Sequence, residues 1–328
     1  MDYTKTVEIT NQLLIDNTEW VIRYQDYEKK ININKTRHEN GRSKFRIFSP
    51  FYLYTSITNL LQDNVLNYDL RFLGQSVASI KIKHGGIIIT TNNNKDASNR
   101  KYFGVDIPLR DEKWNSYKTK KFRREFSKCN SDKGRSKEHK IESALLSEFK
   151  KSGKKQKALY NIQPILLANS FFQMATPIKA SLTEIDYVGA KGGGIDILSR
   201  VRHKDNITRL CVMELKDENI GSEPPRKVMN QAIAYATFIA NLLRSRSGDK
   251  WYELFGFSGS VPNTLIIDVS IVMPYPQQGA SEDFNSERIE VLKDTFIELH
   301  SLYFKEKAKL IGGYDYEFSG SLKEAMMK

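Results

Sequence analysis

Two apolar runs, Gly194–Arg202 and Ile207–Leu215, flank the polar turn His203-Lys204-Asp205-Asn206, and each run carries one carboxylate, Asp196 and Glu214. Runs of this length separated by a turn read as an antiparallel hairpin. Partners across a hairpin that turns at 203–206 have residue numbers adding to about 409, and Asp196 with Glu214 gives 410. The two carboxylates are therefore expected almost opposite each other, within one residue of register. Lys216 follows Glu214 by two positions and points to the same face. Ionised groups in apolar strands are costly unless they are paired or hold a metal. Acid-x-Lys also occurs at Glu28–Lys30, Asp111–Lys113, Glu138–Lys140 and Glu148–Lys150, but without an opposed acidic strand.

The flanking pattern alternates helices and strands. Ser136–Lys151 places Ile141, Leu145, Leu146 and Phe149 at helical spacing. Asn169–Leu182 reads as a strand, allowing for Pro177. Pro224-Pro225 can open a helix that runs to about Arg244 through Val228, Ala232, Tyr235, Ala236, Ile239 and Leu243. Thr264–Met273 is a continuous apolar strand of the kind buried on both faces. Glu282–Lys305 reads as a closing helix. The order is helix, three strands, helix, strand and a C-terminal helix.

The first part of the chain has a different texture. A helix is expected at Phe51–Gln62 and a short strand at Asp69–Leu73. Gln75–Lys83 alternates as a strand, His84-Gly85-Gly86 supplies a turn, and Ile87–Thr91 returns as the partner. Asn92–Lys101 reads as a polar loop and Tyr102–Leu109 as a further strand. These features predict a smaller α+β domain with an antiparallel sheet over residues 1–130, followed by an α/β domain over 131–328. The first domain shows no chemistry of its own, and DNA binding and dimerisation are both open to it.

Charge points toward a polyanion. The 328 residues carry 51 Lys and Arg against 39 Asp and Glu, a net charge of +12. Eleven basic residues lie between Asp111 and Lys140, with Lys120, Lys121, Arg123 and Arg124 at the centre and Trp114, Tyr117, Phe122 and Phe126 interleaved. Lys150, Lys151, Lys154, Lys155 and Lys157 form a second cluster. Such clustering suits a nucleic-acid-facing surface, and a solvated linker would have the same composition. Only two cysteines occur, Cys129 and Cys211. That usage fits a reducing compartment and excludes a cysteine-rich zinc module. No apolar run reaches the ~18 residues of a membrane span, and the N-terminus has no secretory pattern, so a soluble cytoplasmic protein with no membrane partner is expected.

Two facing carboxylates with the Leu215 carbonyl nearby suit an oxygen-seeking cation, Mg²⁺ or Mn²⁺. Such an ion activates water and holds a phosphate oxygen, and Lys216 would orient that water or balance transition-state charge. His38, His84, His139, His203 and His300 show no ligand spacing. The triple glycine 192–194 lacks the following Lys-Ser/Thr of a phosphate loop, so no nucleoside triphosphate is expected. Arg226, Lys227 and Asn230 stand at the start of the helix bearing Gln231, where free N–H groups favour phosphate. Asp186 is a further acidic candidate.

The order of elements, with Asp196 on the second strand and Glu214-Leu215-Lys216 on the third, resembles the PD-(D/E)XK nuclease superfamily over roughly Ser136–Met273, under half of the chain. Gly194-Ile195-Asp196, then Glu214-Leu215-Lys216, then Gln231-Ala232-Ile233-Ala234-Tyr235 is similar to its RecB-like branch, with Ile195 standing where the family name has proline. The resemblance implies a restriction endonuclease-like αβββαβ core with a mixed central sheet. It implies a metal-dependent deoxyribonuclease in which water attacks phosphorus and leaves a 5′-phosphate. In this pattern Asp196 and Glu214 bind the metal and Lys216 is the catalytic lysine. Gln231 and Tyr235 shape the site, and a glutamate on the first helix, Glu142 or else Glu138, assists the metal. Restriction, defence, repair and mobile-element processing are all compatible roles, and a homodimer is a common arrangement among such enzymes. RNA stays open as a substrate, because no residue reads a 2′-hydroxyl. The alternative is a catalytically inactive nucleic-acid-binding or scaffold protein on the same fold.

Overall fold

Apolar strands need hydrogen-bonded neighbours along their edges before they can be buried, and this requirement organises the chain around two large sheets. The structure, a computed structural model, describes residues 3–43, 50–59, 65–83, 86–91, 94–129, 137–150, 161–167, 170–181, 183–203, 206–216, 225–274, 286–292, 295–308 and 314–319. In chain order the elements begin with α1 (Tyr3–Asp16), α2 (Glu19–Ser43), β1 (Tyr52–Ser56), β2 (Leu66–Phe72), β3 (Gln75–Lys83) and β4 (Gly86–Thr90). There follow α3 (Asn94–Tyr102), β5 (Glu112–Lys113), α4 (Tyr117–Ser127), α5 (Lys137–Lys150), β6 (Ile162–Pro164), β7 (Leu166–Leu167) and β8 (Ser170–Gln173). Next come β9 (Ile178–Ala180), β10 (Ile185–Tyr187), β11 (Ile197–Arg202), β12 (Thr208–Leu215), α6 (Pro225–Arg244) and α7 (Gly248–Leu254). The last strands are β13 (Ile266–Pro274), β14 (Ser286–Leu292), β15 (Thr295–Ala308) and β16 (Tyr314–Ser319). The protein is mixed α/β. Among the described residues no helix is long and apolar enough to cross a membrane.

The chain divides into two units. The first comprises residues 1–28, 144–165 and 174–328, and the second comprises 29–143 and 166–173. Residues 1–28 of the expected N-terminal domain thus belong with the later part of the chain.

The second unit is built on a seven-stranded sheet in the order β5-β4-β3-β2-β1-β8-β7. The β2–β3 hairpin turns at Leu73-Gly74, both with positive φ (48° and 76°), the paired left-handed geometry of a tight two-residue turn. Side chains alternate along β2, and Leu66, Tyr68, Leu70 and Phe72 enter the core. Phe122 and Phe126 of α4 pack there against Phe51, and Phe126 also meets Phe72 and Phe103.

Three expectations for this stretch are corrected. Phe51–Gln62 is not an α-helix through its described length: β1 occupies Tyr52–Ser56, because Leu53, Tyr54 and Thr55 are buried between the antiparallel partner β2 and the parallel partner β8. Asn92–Lys101 is not a loop through its described length, since α3 forms with Asp96 in its first turn and Arg100 and Lys101 in its last, complementing the helix dipole. Tyr102–Leu109 is not a strand; Gly104 turns left-handed at φ 74° and Val105 N–H closes onto the Arg100 carbonyl.

The first unit holds a mixed sheet in the order β14-β15-β13-β12-β11-β6, with β16 also on β15. β6, β11 and β12 run antiparallel in turn, and β12 pairs β13 in parallel with α6 between them in sequence. α6 packs against β12 and β13 and is flanked by α1. Trp20 and Tyr24 of α2 meet Phe238 of α6 edge-on.

Two further expectations change here. The single strand Asn169–Leu182 is two strands in different sheets: β8 pairs β1, while β9 pairs β10. The C-terminal helix over Glu282–Lys305 is replaced by β14 and β15. The apolar β13 has β12 on one edge, and β15 supplies its other edge from Ile266↔Lys305 to Pro274↔Ile297. Pairing of that length outweighs the helical spacing of the isolated segment.

Candidate active site

The β11–β12 hairpin pairs Ile197 with Met213 and Arg202 with Thr208, so opposed numbers add to 410, and the same register carried one residue past β11 puts Asp196 opposite Glu214. The Asp196 Oδ2 accepts the Leu215 backbone N–H at 2.8 Å, which ties the carboxylate to the end of β12. Glu214 is 6% exposed, and its Oε1 lies 2.9 Å from the Lys216 Nζ. The β12 backbone stays in the sheet past these residues, with Lys216 N–H donating to the Val272 carbonyl.

Gln231 and Tyr235, four residues apart on α6, are both buried. The Gln231 Nε2 donates to the Ala180 carbonyl at 3.1 Å, and the Ala180 N–H lies 3.4 Å from the Tyr235 hydroxyl oxygen. The Tyr235 phenol is pushed up to about 12, first by burial and then by the negative charge of Glu214; the Ala180 backbone and Lys216 pull the other way, and Asp196 adds to the rise. The phenol therefore feels all three of the charged residues named by the Asp and Glu-x-Lys pattern. It stays protonated at neutral pH and can serve as a donor but not as a base.

The glycines before Asp196 have a packing role. A Cβ on Gly192 would sit 1.6 Å from the Thr176 carbonyl oxygen, and one on Gly193 would lie 3.2 Å from the Tyr235 hydroxyl. Thr176 N–H donates to the Gly193 carbonyl and Ile195 N–H to the Met174 carbonyl. This close approach aligns the segment that delivers Asp196. Ala180, Gly192 and Gly193 are site-shaping residues that motif reasoning missed; for the glycines the run 192–194, with one residue between it and Asp196, was the visible signal.

The remaining expected residues have other surroundings. Asn230 is buried, and its Oδ1 accepts the Thr6 hydroxyl at 2.6 Å, fastening α1 to α6. Lys227 is exposed, while the side chain of Arg226 lies outside the described residues. Asp186 is exposed on β10.

Glu142 belongs to the second unit. Its Oε1 accepts the Tyr54 hydroxyl at 2.9 Å and stands 3.8 Å from the Arg71 guanidinium, and its Oε2 is 3.7 Å from the His139 Nδ1. Burial, then the Glu142 charge, pushes the Tyr54 phenol well up. Glu138 lies on the same helix, also in the second unit. Lys120, Lys121 and Arg124 are exposed on α4, whereas Arg123 is half-buried with its guanidinium over the Trp114 ring, 4.4 Å from the centroid. The basic run 151–160 lies outside the described residues.

Among the described residues no group of three or more His, Cys, Asp or Glu side chains forms a metal cage. The Asp196 and Glu214 carboxylates could offer oxygen donors, the type a hard cation that keeps part of its water shell takes. No family model, curated protein or solved structure matches the chain.

Proposed function

We propose that the protein is a divalent-metal-dependent nuclease that hydrolyses phosphodiester bonds in DNA, on a core of the PD-(D/E)XK kind. The observation that carries this reading is the opposition of Asp196 and Glu214 across the β11–β12 hairpin, with the Lys216 ammonium 2.9 Å from Glu214. The adjacent strands β6-β11-β12-β13, with α5 before them and α6 before β13, support the αβββαβ order.

Asp196 and Glu214 would hold Mg²⁺ or Mn²⁺ together with the Leu215 carbonyl. When bound, such an ion supplies Lewis acidity toward a phosphate oxygen and lowers the pKa of its water. Lys216 places a fixed positive charge beside the acidic pair, where it offsets the negative charge that builds on phosphorus oxygens as water attacks. Gln231 and Tyr235 hold the Ala180 backbone, and Tyr235 presents a neutral hydroxyl near the carboxylates.

The test is incubation of supercoiled plasmid with Mg²⁺ or Mn²⁺, beside Lys216→Ala and an EDTA control. Cleavage that requires both the ion and Lys216 supports the reading, and the nicked, linear or degraded product reports the mode of cutting. Cleavage surviving in Lys216→Ala refutes the site. Absence of cleavage on plasmid, linear and single-stranded DNA, with salt-sensitive binding retained, favours a binding protein without turnover.

A further inference from the structure

The helix α4 separates its apolar and basic residues cleanly. Thr119, Phe122 and Phe126 are buried, and the Ser116 side chain caps the helix by accepting the Thr119 N–H. At about 100° per residue the line opposite Phe122 and Phe126 passes by Arg124, Tyr117, Lys120, Lys128 and Lys121, while Lys118 lies nearer the apolar side, beside Phe122. All six are exposed. Between Arg110 and Lys128 the chain carries eight basic residues against three acidic ones, Asp111, Glu112 and Glu125. Two of those acids are matched, Glu112 to Lys118 at 3.9 Å and Glu125 to Lys128 at 2.9 Å. Lys120, Lys121 and Arg124 make no ion pair among the described residues. Lys120, Lys121 and Arg124 thus form an exposed group of cations with no acidic partner among the described residues.

The aromatic residues decide what such a row fits. Single-stranded nucleic acid is held by bases stacked on exposed rings. Of the four aromatics interleaved with the basic residues, Trp114, Phe122 and Phe126 are in the core, and only Tyr117 is exposed, at 83%. Arg123 is spent over the Trp114 ring. What remains is clustered charge with a single exposed ring, too few for successive bases to stack on, which suits phosphates on the outside of a duplex, whose bases are already stacked.

We propose that the exposed face of α4 is a sequence-independent docking surface for the backbone of double-stranded DNA, with Lys120, Lys121 and Arg124 as its phosphate contacts. This deepens the proposed action on DNA by assigning duplex capture to the second unit.

The test measures binding of the full chain to a labelled mixed-sequence duplex and to one of its strands, in EDTA, across about 50–200 mM salt. Each lost phosphate contact flattens the log–log salt dependence by ~0.9. The variant Lys120→Ala/Lys121→Ala/Arg124→Ala is expected to flatten the slope by about 2–3 and to weaken duplex binding at least ~tenfold at low salt. Lys120→Arg/Lys121→Arg/Arg124→Lys is expected to keep the wild-type slope, and wild-type protein is expected to prefer duplex over strand. An unchanged slope in the alanine variant, an equal loss in the charge-retaining variant, or tighter binding of the strand overturns the proposal. Because EDTA removes the metal, these outcomes are independent of cleavage: the face can stand if no nuclease activity is found, and fall if it is.

Discussion

The Asp196 carboxylate and the Leu215 backbone are joined by a 2.8 Å hydrogen bond that spans the open end of the β11–β12 hairpin. One oxygen of Asp196 is thereby oriented by the strand that carries Glu214 and Lys216. The bond converts a sequence spacing into a fixed acidic pair, because the residue that orients Asp196 is the one between its two partners.

Asp196→Asn keeps an oxygen to accept the Leu215 N–H but removes the charge. Cleavage is expected to fall by about 10²–10³, with thermal stability close to wild type. Asp196→Ala leaves that buried N–H without its acceptor and is expected to lose about 1–3 kcal/mol as well. Parallel cleavage assays and urea melts separate the two effects; equal melts for both variants would show that the hydrogen bond contributes nothing.

The Glu214–Lys216 pair is largely buried, with side chains 7% and 13% exposed. Lys216→Met strands the glutamate charge and is expected to destabilise by about 3 kcal/mol. Glu214→Gln/Lys216→Met together should destabilise by less than Lys216→Met alone. A double-mutant cycle in urea checks this, and simple additivity would contradict it.

Gly192→Ala cannot be accommodated in place, since its Cβ would lie 1.6 Å from the Thr176 oxygen. The backbone must move, with an expected loss of about 1–3 kcal/mol, and Asp196 four residues later moves with it. Gly193→Ala, at 3.2 Å from the Tyr235 hydroxyl and the Ile178 oxygen, should be milder. Urea unfolding of both variants gives the order, and the reverse order would count against this packing.

Tyr235 has a folded pKa of about 12 against an ordinary value of 10.0. Between these values the unfolded chain loses the phenolic proton and the folded chain keeps it. The stabilisation is whole below pH ~10 and is lost as pH rises toward ~12, by up to about 3 kcal/mol. Wild-type stability should therefore drop more steeply than that of Tyr235→Phe across this window. Chemical unfolding of the pair from about pH 9 to about pH 12 measures the difference, and parallel curves would show the phenol to be unperturbed.

The hairpin was legible because its information is local: a polar turn, two apolar runs and a period of two place Asp196 opposite Glu214 without reference to the rest of the chain. The α6 helix was legible for the same reason, from its proline start and apolar spacing. The last part of the chain was not. Glu282–Lys305 reads as a helix in isolation, yet β15, which overlaps it, pairs the edge of β13, and those hydrogen bonds decide the matter.

The sequence by itself thus determined which ionisable residues share a strand pair, which face Lys216 occupies and that Gln231 and Tyr235 lie together on one helix. Only the tertiary structure decided that Gly192 must lack a side chain, that Asn230 turns inward to Thr6, that Glu142 answers to Tyr54 and Arg71, and that the aromatics of the basic stretch belong to the core. These depend on neighbours far away in sequence, and neither periodicity nor spacing carries information about a partner that the chain reaches only after it has folded.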